Sequence, residues 1–119
     1  MADSGTLATS GQVLLSIGAN ASAAQILEAN TNIWILMAEA EISLISNRDI
    51  VTNYASIGTN YKQSLAAIAA ARAAMHGINQ DQDNWTLAVT QSKLNVLESI
   101  WQEGKAILKD KDAIETMGL

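Results

Sequence analysis

An apolar seam in the middle of the chain, spaced alternately by four and three positions, constrains the fold more than any other feature. Its members are Ile50, Tyr54, Ile57, Tyr61, Ser64, Ile68, Ala71 and Met75. This spacing returns to one side of an α-helix and is the repeat of packed helices. It predicts a helix over residues 48–76, with Asn47 as its N-cap and Gly77 just after its end.

The alanine-rich stretch at residues 64–77 makes the second half of this predicted helix thin. Alanine favours helix and lets neighbouring helices approach closely on more than one side. We therefore expect a central helix that packs against both other long helices. The alternative is that its outer face of small residues also accepts another subunit.

A second apolar face predicts a helix over residues 84–112, for which Asp83 or Asn84 can serve as the cap. The face consists of Leu87, Leu94, Leu97, Trp101 and Leu108, widened by Val89, Val96, Ile100, Ile107 and Ile114. A face that covers about three positions in seven is typical of a helix in a bundle.

The segment before residue 47 predicts a third long helix, over residues 22–46. Its expected apolar face contains Ile26, Ile33, Met37 and Leu44, with Leu27, Trp34 and Ile45 beside them. Two starts are compatible with the sequence. A capping box from Ser22 to Gln25 would begin a new helix after a break near Gly18, so that residues 1–21 form a separate arm or helix. Alternatively, one helix continues unbroken from about Thr9, at about 1 kcal/mol for each internal glycine. We favour the separate N-terminal helix.

Composition agrees with these helices. The chain has 119 residues, 49 % of them apolar, which suits one domain with a packed core. Without proline nothing forces a helix to break, and without cysteine there can be no disulfide and no thiolate metal site. We predict an all-α fold: one domain, residues 1–119, formed by an antiparallel bundle of three long helices plus an N-terminal helix or arm.

Two glutamates interrupt the apolar run at residues 32–45, and helical geometry places them on different faces. Glu39 falls on the solvent or rim side, whereas Glu41 falls on the packed side together with Asn30. A buried carboxylate needs a partner. In a helical hairpin that turns near residue 47, the Tyr54 hydroxyl would donate to Glu41. Asn30, Glu41 and Tyr54 are therefore the predicted buried polar residues.

The same register brings Trp34, Tyr61 and Trp101 into one predicted aromatic layer and places Trp85 near His76. A cavity beneath such a layer would be the natural site for a small ligand.

Catalytic machinery is not visible in the sequence. His76 is the one histidine and is expected in the last turn of its helix, where an imidazole meets free carbonyls. No nucleophile motif or glycine-rich phosphate loop is present. Glu39 and Glu41 point about 200° apart, so they cannot share a metal ion. We predict that the chain is not an enzyme and needs no metal or cofactor.

Charge narrows the partners further. The net charge of −5 disfavours nucleic acid and anionic membranes, which need clustered Lys and Arg. Residues 19–21 imitate a signal-peptide cleavage site, but no basic region precedes them, so secretion by a signal peptide is not expected. No apolar run is long enough to predict a membrane span.

The N-terminal region is the most suggestive part of the sequence for function. Residues 4–27 contain no charged side chain, although a solvated helix normally carries charges on its outer face. We predict that this arm packs against other copies or a larger protein through Leu7, Gly11, Leu14 and Gly18. The alternative is that the arm folds over its own bundle as a fourth helix.

In overall composition the chain, rich in Ala, Ser, Thr and Asn, resembles small helical components of phage or viral particles. The resemblance covers the whole chain and involves no motif. The leading hypothesis is a noncatalytic structural subunit, made in the cytoplasm, that assembles into a virion or other particle through helix packing. The alternative is a soluble cytoplasmic helical-bundle adaptor or small-ligand-binding module.

Overall fold

A computed structural model of the chain describes residues 5–18, 25, 27–80 and 87–118. Every regular element in these ranges is helical, which confirms the predicted all-α fold. The elements are α1 (Ser10–Ile17), α2 (Glu28–Ser46), a 3₁₀ turn (Tyr54–Ser56), α3 (Thr59–Gln80), α4 (Leu87–Lys109) and α5 (Lys111–Met117). These helices pack against one another as a bundle with principal dimensions of 42 × 30 × 21 Å.

The alanine-rich helix α3 is the centre of the bundle, as predicted. It contacts α1, α2 and α4. Its buried alanines lie on several sides of the helix: Ala69, Ala70, Ala71, Ala73 and Ala74. Because a methyl group adds so little width, three neighbours can approach the same helix closely.

The start of α3 differs from the prediction of a helix over residues 48–76. Asn47 adopts the left-handed conformation with φ 58° and is the C-cap of α2, not an N-cap. Asp49 then accepts hydrogen bonds from the Thr52 hydroxyl at 2.7 Å and the Thr52 amide at 3.1 Å. Such local side-chain bonds compete with helix formation. The chain therefore turns through this region, and α3 begins at Thr59.

The end of α3 also differs, because Gly77 lies inside the helix and is buried. A Cβ atom at Gly77 would lie 2.9 Å from Cζ3 of Trp34 and 3.4 Å from Cδ1 of Ile17. The glycine thus makes room for side chains of two other helices instead of ending its own. The helix continues to Gln80.

The helix predicted over residues 84–112 is divided in two. Asp110 has an extended backbone and accepts hydrogen bonds from the amides of Asp112 and Ala113, which caps α5. Helix α4 therefore ends at Lys109. The predicted caps Asp83 and Asn84, and Trp85 with its expected position near His76, lie outside the described residues.

The N-terminal helix α1 is separate, as favoured from the sequence. Thr9 and Gln12 form a reciprocal capping box at its start. It ends at Gly18, whose φ of 96° is a conformation that glycine tolerates best. An unbroken helix from Thr9 is therefore excluded. Of the capping box predicted at Ser22–Gln25, only Gln25 lies within the described residues, and its side-chain amide donates to the Gly77 carbonyl oxygen at 3.1 Å.

Candidate functional site

The N-terminal arm packs on its own bundle. Val13 and Ile17 of α1 are buried in the common core. The Ser10 hydroxyl lies 2.7 Å from the Thr31 hydroxyl of α2, so the two helices are also joined by a buried hydrogen bond. This arrangement matches the alternative considered from the sequence, in which the arm forms a fourth helix of the bundle.

The four residues predicted as the assembly interface are therefore divided. Leu7 is buried in the core of its own chain, which corrects its assignment to a contact with a neighbour. Leu14 and Gly18 are half-buried, and Gly11 is exposed. The exposed large apolar side chain of α1 is Leu15, at 83 %.

Glu39 is buried, contrary to its predicted place on the solvent side. It is 3 % exposed, and its Oε2 accepts hydrogen bonds from the backbone amides of Thr6 and Leu7, each at 2.6 Å. Gly5 adjoins the same carboxylate, since a Cβ there would lie 3.3 Å from Oε2. Two N–H donors replace the water that the carboxylate loses, so the charge can be accommodated inside. Glu39 holds the start of the arm against α2.

Glu41 is half-buried and binds partners other than Tyr54. Its Oε2 lies 2.9 Å from both Nε and a terminal nitrogen of Arg72, and its Oε1 lies 2.7 Å from Nε2 of His76. The Arg72 guanidinium also lies 5.2 Å from the Trp101 ring centroid. This cluster links α2, α3 and α4. His76 thus pairs with a carboxylate and not, as predicted, with free carbonyls at a helix end.

The burial of Glu39 reflects a buried side of α2 that differs from the predicted one. It contains Trp34, Ile35, Ala38 and Ile42, whereas Ile33, Met37 and Leu44 of the predicted apolar face point outward. Trp34 was predicted beside that face and is buried, and Ile26 lies outside the described residues. The other predicted buried polar residues, Asn30 and Tyr54, are both half-buried, and the ring of Tyr54 lies 4.5 Å below the Lys62 ammonium.

The predicted aromatic layer is not formed. Trp34 is buried beside Gly77 of α3. Tyr61 precedes Gly77 by about four helical turns, or about 24 Å along the axis of α3. Tyr61 is 39 % exposed. Trp101 is buried and contacts Arg72 and Lys105. The common layer beneath which a ligand cavity was expected is therefore absent.

The outward side of α2 is the most unusual surface of the described structure. Six residues of this helix are exposed, and all six are apolar: Ala29, Ile33, Leu36, Met37, Ala40 and Leu44. We call this set the α2 face. By contrast, the exposed residues of α3 are mostly Thr, Asn, Gln and Ser. A contiguous apolar patch on one helix is typical of an interaction surface.

A groove extends the α2 face beyond the end of the helix. Its lining is apolar at Leu36, Ala40, Leu44 and Val51 and polar or charged at Glu39, Ser43, Asn47, Arg48 and Asp49. A shorter exposed apolar row lies on α4, at Val96, Ile100 and Ile107, but polar residues interrupt it. The α2 face is therefore the better candidate for a contact with another molecule.

The distribution of apolar residues along α2 indicates this surface already at the level of sequence. The charged residues of α2 are Glu28, Glu39 and Glu41, and apolar side chains occur around its whole circumference. A helix that is apolar all round is normally covered on every side. Helices α1, α3 and α4 cover one side of α2, and within the described residues its other side is exposed.

Across residues 5–18, 25, 27–80 and 87–118, no three His, Asp or Glu side chains come together as a metal site. Within the same residues, no helix is both long and apolar enough to cross a bilayer. Neither a protein-family model nor a curated protein nor a solved structure matches the chain.

Proposed function

We propose that this protein is a noncatalytic structural subunit that assembles into a larger particle through helix packing. The observation that carries the proposal is the α2 face, on which every exposed residue of a 19-residue helix is apolar. In a solitary molecule this face would meet water. In an assembly it would be buried, at a gain of roughly 1.5–3 kcal/mol for a side chain such as Leu44.

The contact surface in this proposal is α2 and not the arm expected from the sequence. The arm contributes indirectly. Its backbone amides at Thr6 and Leu7 donate hydrogen bonds to Glu39, the one buried carboxylate of α2, on the inner side of that helix. The outer side of α2 is then free of charge between Glu28 and Glu41, so no ionised group there must be desolvated when a partner covers it.

A particle of phage or viral type is the assembly that the composition supports. The chain is rich in Ala, Ser, Thr and Asn and lacks both cysteine and proline, a composition that resembles small helical components of such particles. Under this proposal the chain is made in the cytoplasm and is then incorporated into the particle. The competing proposal is an adaptor, for which the groove beside Leu44 and Val51 would receive a different protein.

The test compares substitutions at two equally exposed leucines. Each variant is expressed in the cells that naturally make the protein. Leu44 is 82 % exposed on the α2 face, and Leu15 is 83 % exposed on α1. We expect the wild-type chain and the Leu15→Glu variant to sediment in a complex far heavier than one 12.6 kDa chain. We expect Leu44→Glu to sediment as free protein, because a charge cannot be buried at that contact without a partner.

Retention of Leu44→Glu in the heavy complex would refute the role of the α2 face. A wild-type chain that sediments alone would refute the structural function itself. An adaptor would sediment with a different protein at a fixed ratio but would not form a repeating particle.

A further inference from the structure

We propose that the α2 face binds the α2 face of a second copy of this chain, with the two helices antiparallel across a twofold axis. This inference rests on the proposed function and names its first contact. The seam of the face is Ile33, Met37, Ala40 and Leu44, at spacings of four, three and four. That series reads the same in both directions along the helix, so it is complementary to itself when one helix is reversed.

The reversed pairing also matches side-chain sizes. With the axis midway between Met37 and Ala40, each Met37 faces an Ala40 of the other copy, and each Ile33 faces a Leu44. The long methionine fills the space that the alanine leaves. A parallel pair would instead place Ala40 against Ala40, leaving a gap, and would align the two helix dipoles unfavourably.

Charge at the edge of the face is compensated within each chain. Glu41 borders the seam, but Arg72 and His76 of the same chain occupy its two oxygens. Between Glu28 and Glu41 the outer side of α2 presents no ionised group. Two copies with a net charge of −5 can therefore meet here without like charges coming into contact at the seam.

The area is sufficient for a specific contact. The four large side chains of the face are 44–82 % exposed. Together with Ala29 and Ala40 they offer on the order of 500 Å² per copy, so a pair would bury about 1,000 Å², the lower bound of a specific interface. A second copy is thus large enough an occupant, and the groove that continues to Val51 would add to the contact.

The first measurement is sedimentation equilibrium of the purified full chain. We expect wild type to be a dimer and Leu15→Glu to remain one. We expect Leu44→Glu to dissociate at least about a hundredfold more readily, because each dimer would bury two unpaired carboxylates. Both leucines are exposed, so helical circular dichroism should be unchanged in both variants.

The second measurement fixes the direction of the helices. The chain has no cysteine, so introduced thiols have no competitors. We expect a mixture of Ile33→Cys and Leu44→Cys proteins to form a disulfide-linked heterodimer on oxidation, and neither protein alone to form a linked homodimer. Mixing Leu15→Cys with Leu44→Cys should give no linked product, as the matched control.

Three results would overturn the inference. The first is a wild-type protein that is monomeric at every concentration, and the second is a dimer that Leu44→Glu leaves intact. The third is a disulfide-linked homodimer formed by either single-cysteine protein, Ile33→Cys or Leu44→Cys, on its own. If wild type is monomeric when purified but Leu44→Glu alone leaves the native complex, the second copy is refuted and the proposed function stands. If Leu44→Glu changes neither measurement, both fail.

Discussion

Oε2 of Glu39 lies 2.6 Å from the backbone nitrogen of Leu7, 32 residues earlier in the chain. The same oxygen accepts the amide of Thr6. The contact lies on the buried side of α2, together with Trp34, Ile35, Ala38 and Ile42. The apolar residues Ile33 and Leu44 point outward on the opposite side of the same helix.

Replacing Glu39 with alanine should release the start of the arm. The substitution leaves the Thr6 and Leu7 amides without their acceptor, which costs about 1–3 kcal/mol when the donors stay buried. We expect faster hydrogen exchange at both amides by NMR and a lower denaturant midpoint. Glu103→Ala, at an exposed position of α4, should change neither. Unaltered exchange at Leu7 in Glu39→Ala would show that this carboxylate does not hold the arm.

Two glycine-to-alanine substitutions should change stability in opposite directions. A Cβ at Gly104 of α4 would lie 2.8 Å from both Cγ atoms of buried Ile68, a β-branched side chain with little freedom to move. We expect the strain to exceed the helix-propensity gain of about 1 kcal/mol, so Gly104→Ala should lower the free energy of unfolding.

Gly11 is the matched position, inside α1 and exposed, where the nearest atom to an added Cβ is Thr9 Oγ1 at 3.8 Å. Gly11→Ala should therefore raise the free energy of unfolding by about 0.5–1 kcal/mol. Urea denaturation of the two variants measures both effects. A more stable Gly104→Ala protein would mean that Ile68 does not pack against this glycine.

The turn after α2 should have a measurable pH signature. Hydrogen bonds from the Thr52 hydroxyl, and then from the Thr52 amide, lower the pKa of Asp49 below its usual 3.8. A lowered carboxyl pKa stabilises the turn above that usual value, and the contribution is lost as pH falls through the folded pKa. We expect Thr52→Val to raise the Asp49 pKa in a carbon-detected NMR titration. An Asp49 pKa that is the same in both proteins would contradict this role of the hydroxyl.

The Arg72 guanidinium should contribute modestly to stability. Arg72→Met keeps the length of the side chain but removes the donors to Glu41 and the contact with the Trp101 ring. Because the Arg72–Glu41 pair is partly solvated, we expect the free energy of unfolding to fall by about 1 kcal/mol. We also expect a change in Trp101 fluorescence. Arg48→Met, which removes only a hydrogen bond to the neighbouring Asn47 carbonyl, should be close to neutral. A double-mutant cycle with Glu41→Gln isolates the pair, and a coupling near zero would contradict the geometry.

The sequence predicted the helices better than their faces. The alternating seam and the alanine-rich stretch predicted the central helix, and Ser46 was placed at the end of α2, as the structure shows. The rotation of α2 could not be predicted in this way, because apolar residues on all sides leave no single preferred core face. Its orientation depends on long-range partners, Leu7 for Glu39 and Arg72 for Glu41, which no local pattern contains.

The start of α3 was missed for a related reason. The seam spacing from Ile50 to Ile57 continues that of the helix. However, Asn47 is left-handed, and Thr52 donates local hydrogen bonds to Asp49, so no helix forms here. Both apolar residues are nevertheless buried. Periodicity therefore identified these two core residues correctly while predicting the wrong backbone, whereas Tyr61 and Ser64 of the same seam are exposed. The shift of register also explains why Tyr61 does not meet Trp34.

Oxidation of Met37 tests most directly whether the α2 face is covered in the functional protein. Met37 lies in the middle of the face and is 44 % exposed in the single chain, whereas Met75 and Met117 are buried in the core. The measurement is hydroxyl-radical footprinting of the native assembly, with Leu44→Glu as the dissociated reference. We predict that Met37 reacts as slowly as Met75 in the wild-type assembly. In the Leu44→Glu protein, we predict that Met37 reacts several-fold faster than it does in wild type. Equal, rapid oxidation of Met37 in both proteins would contradict the account.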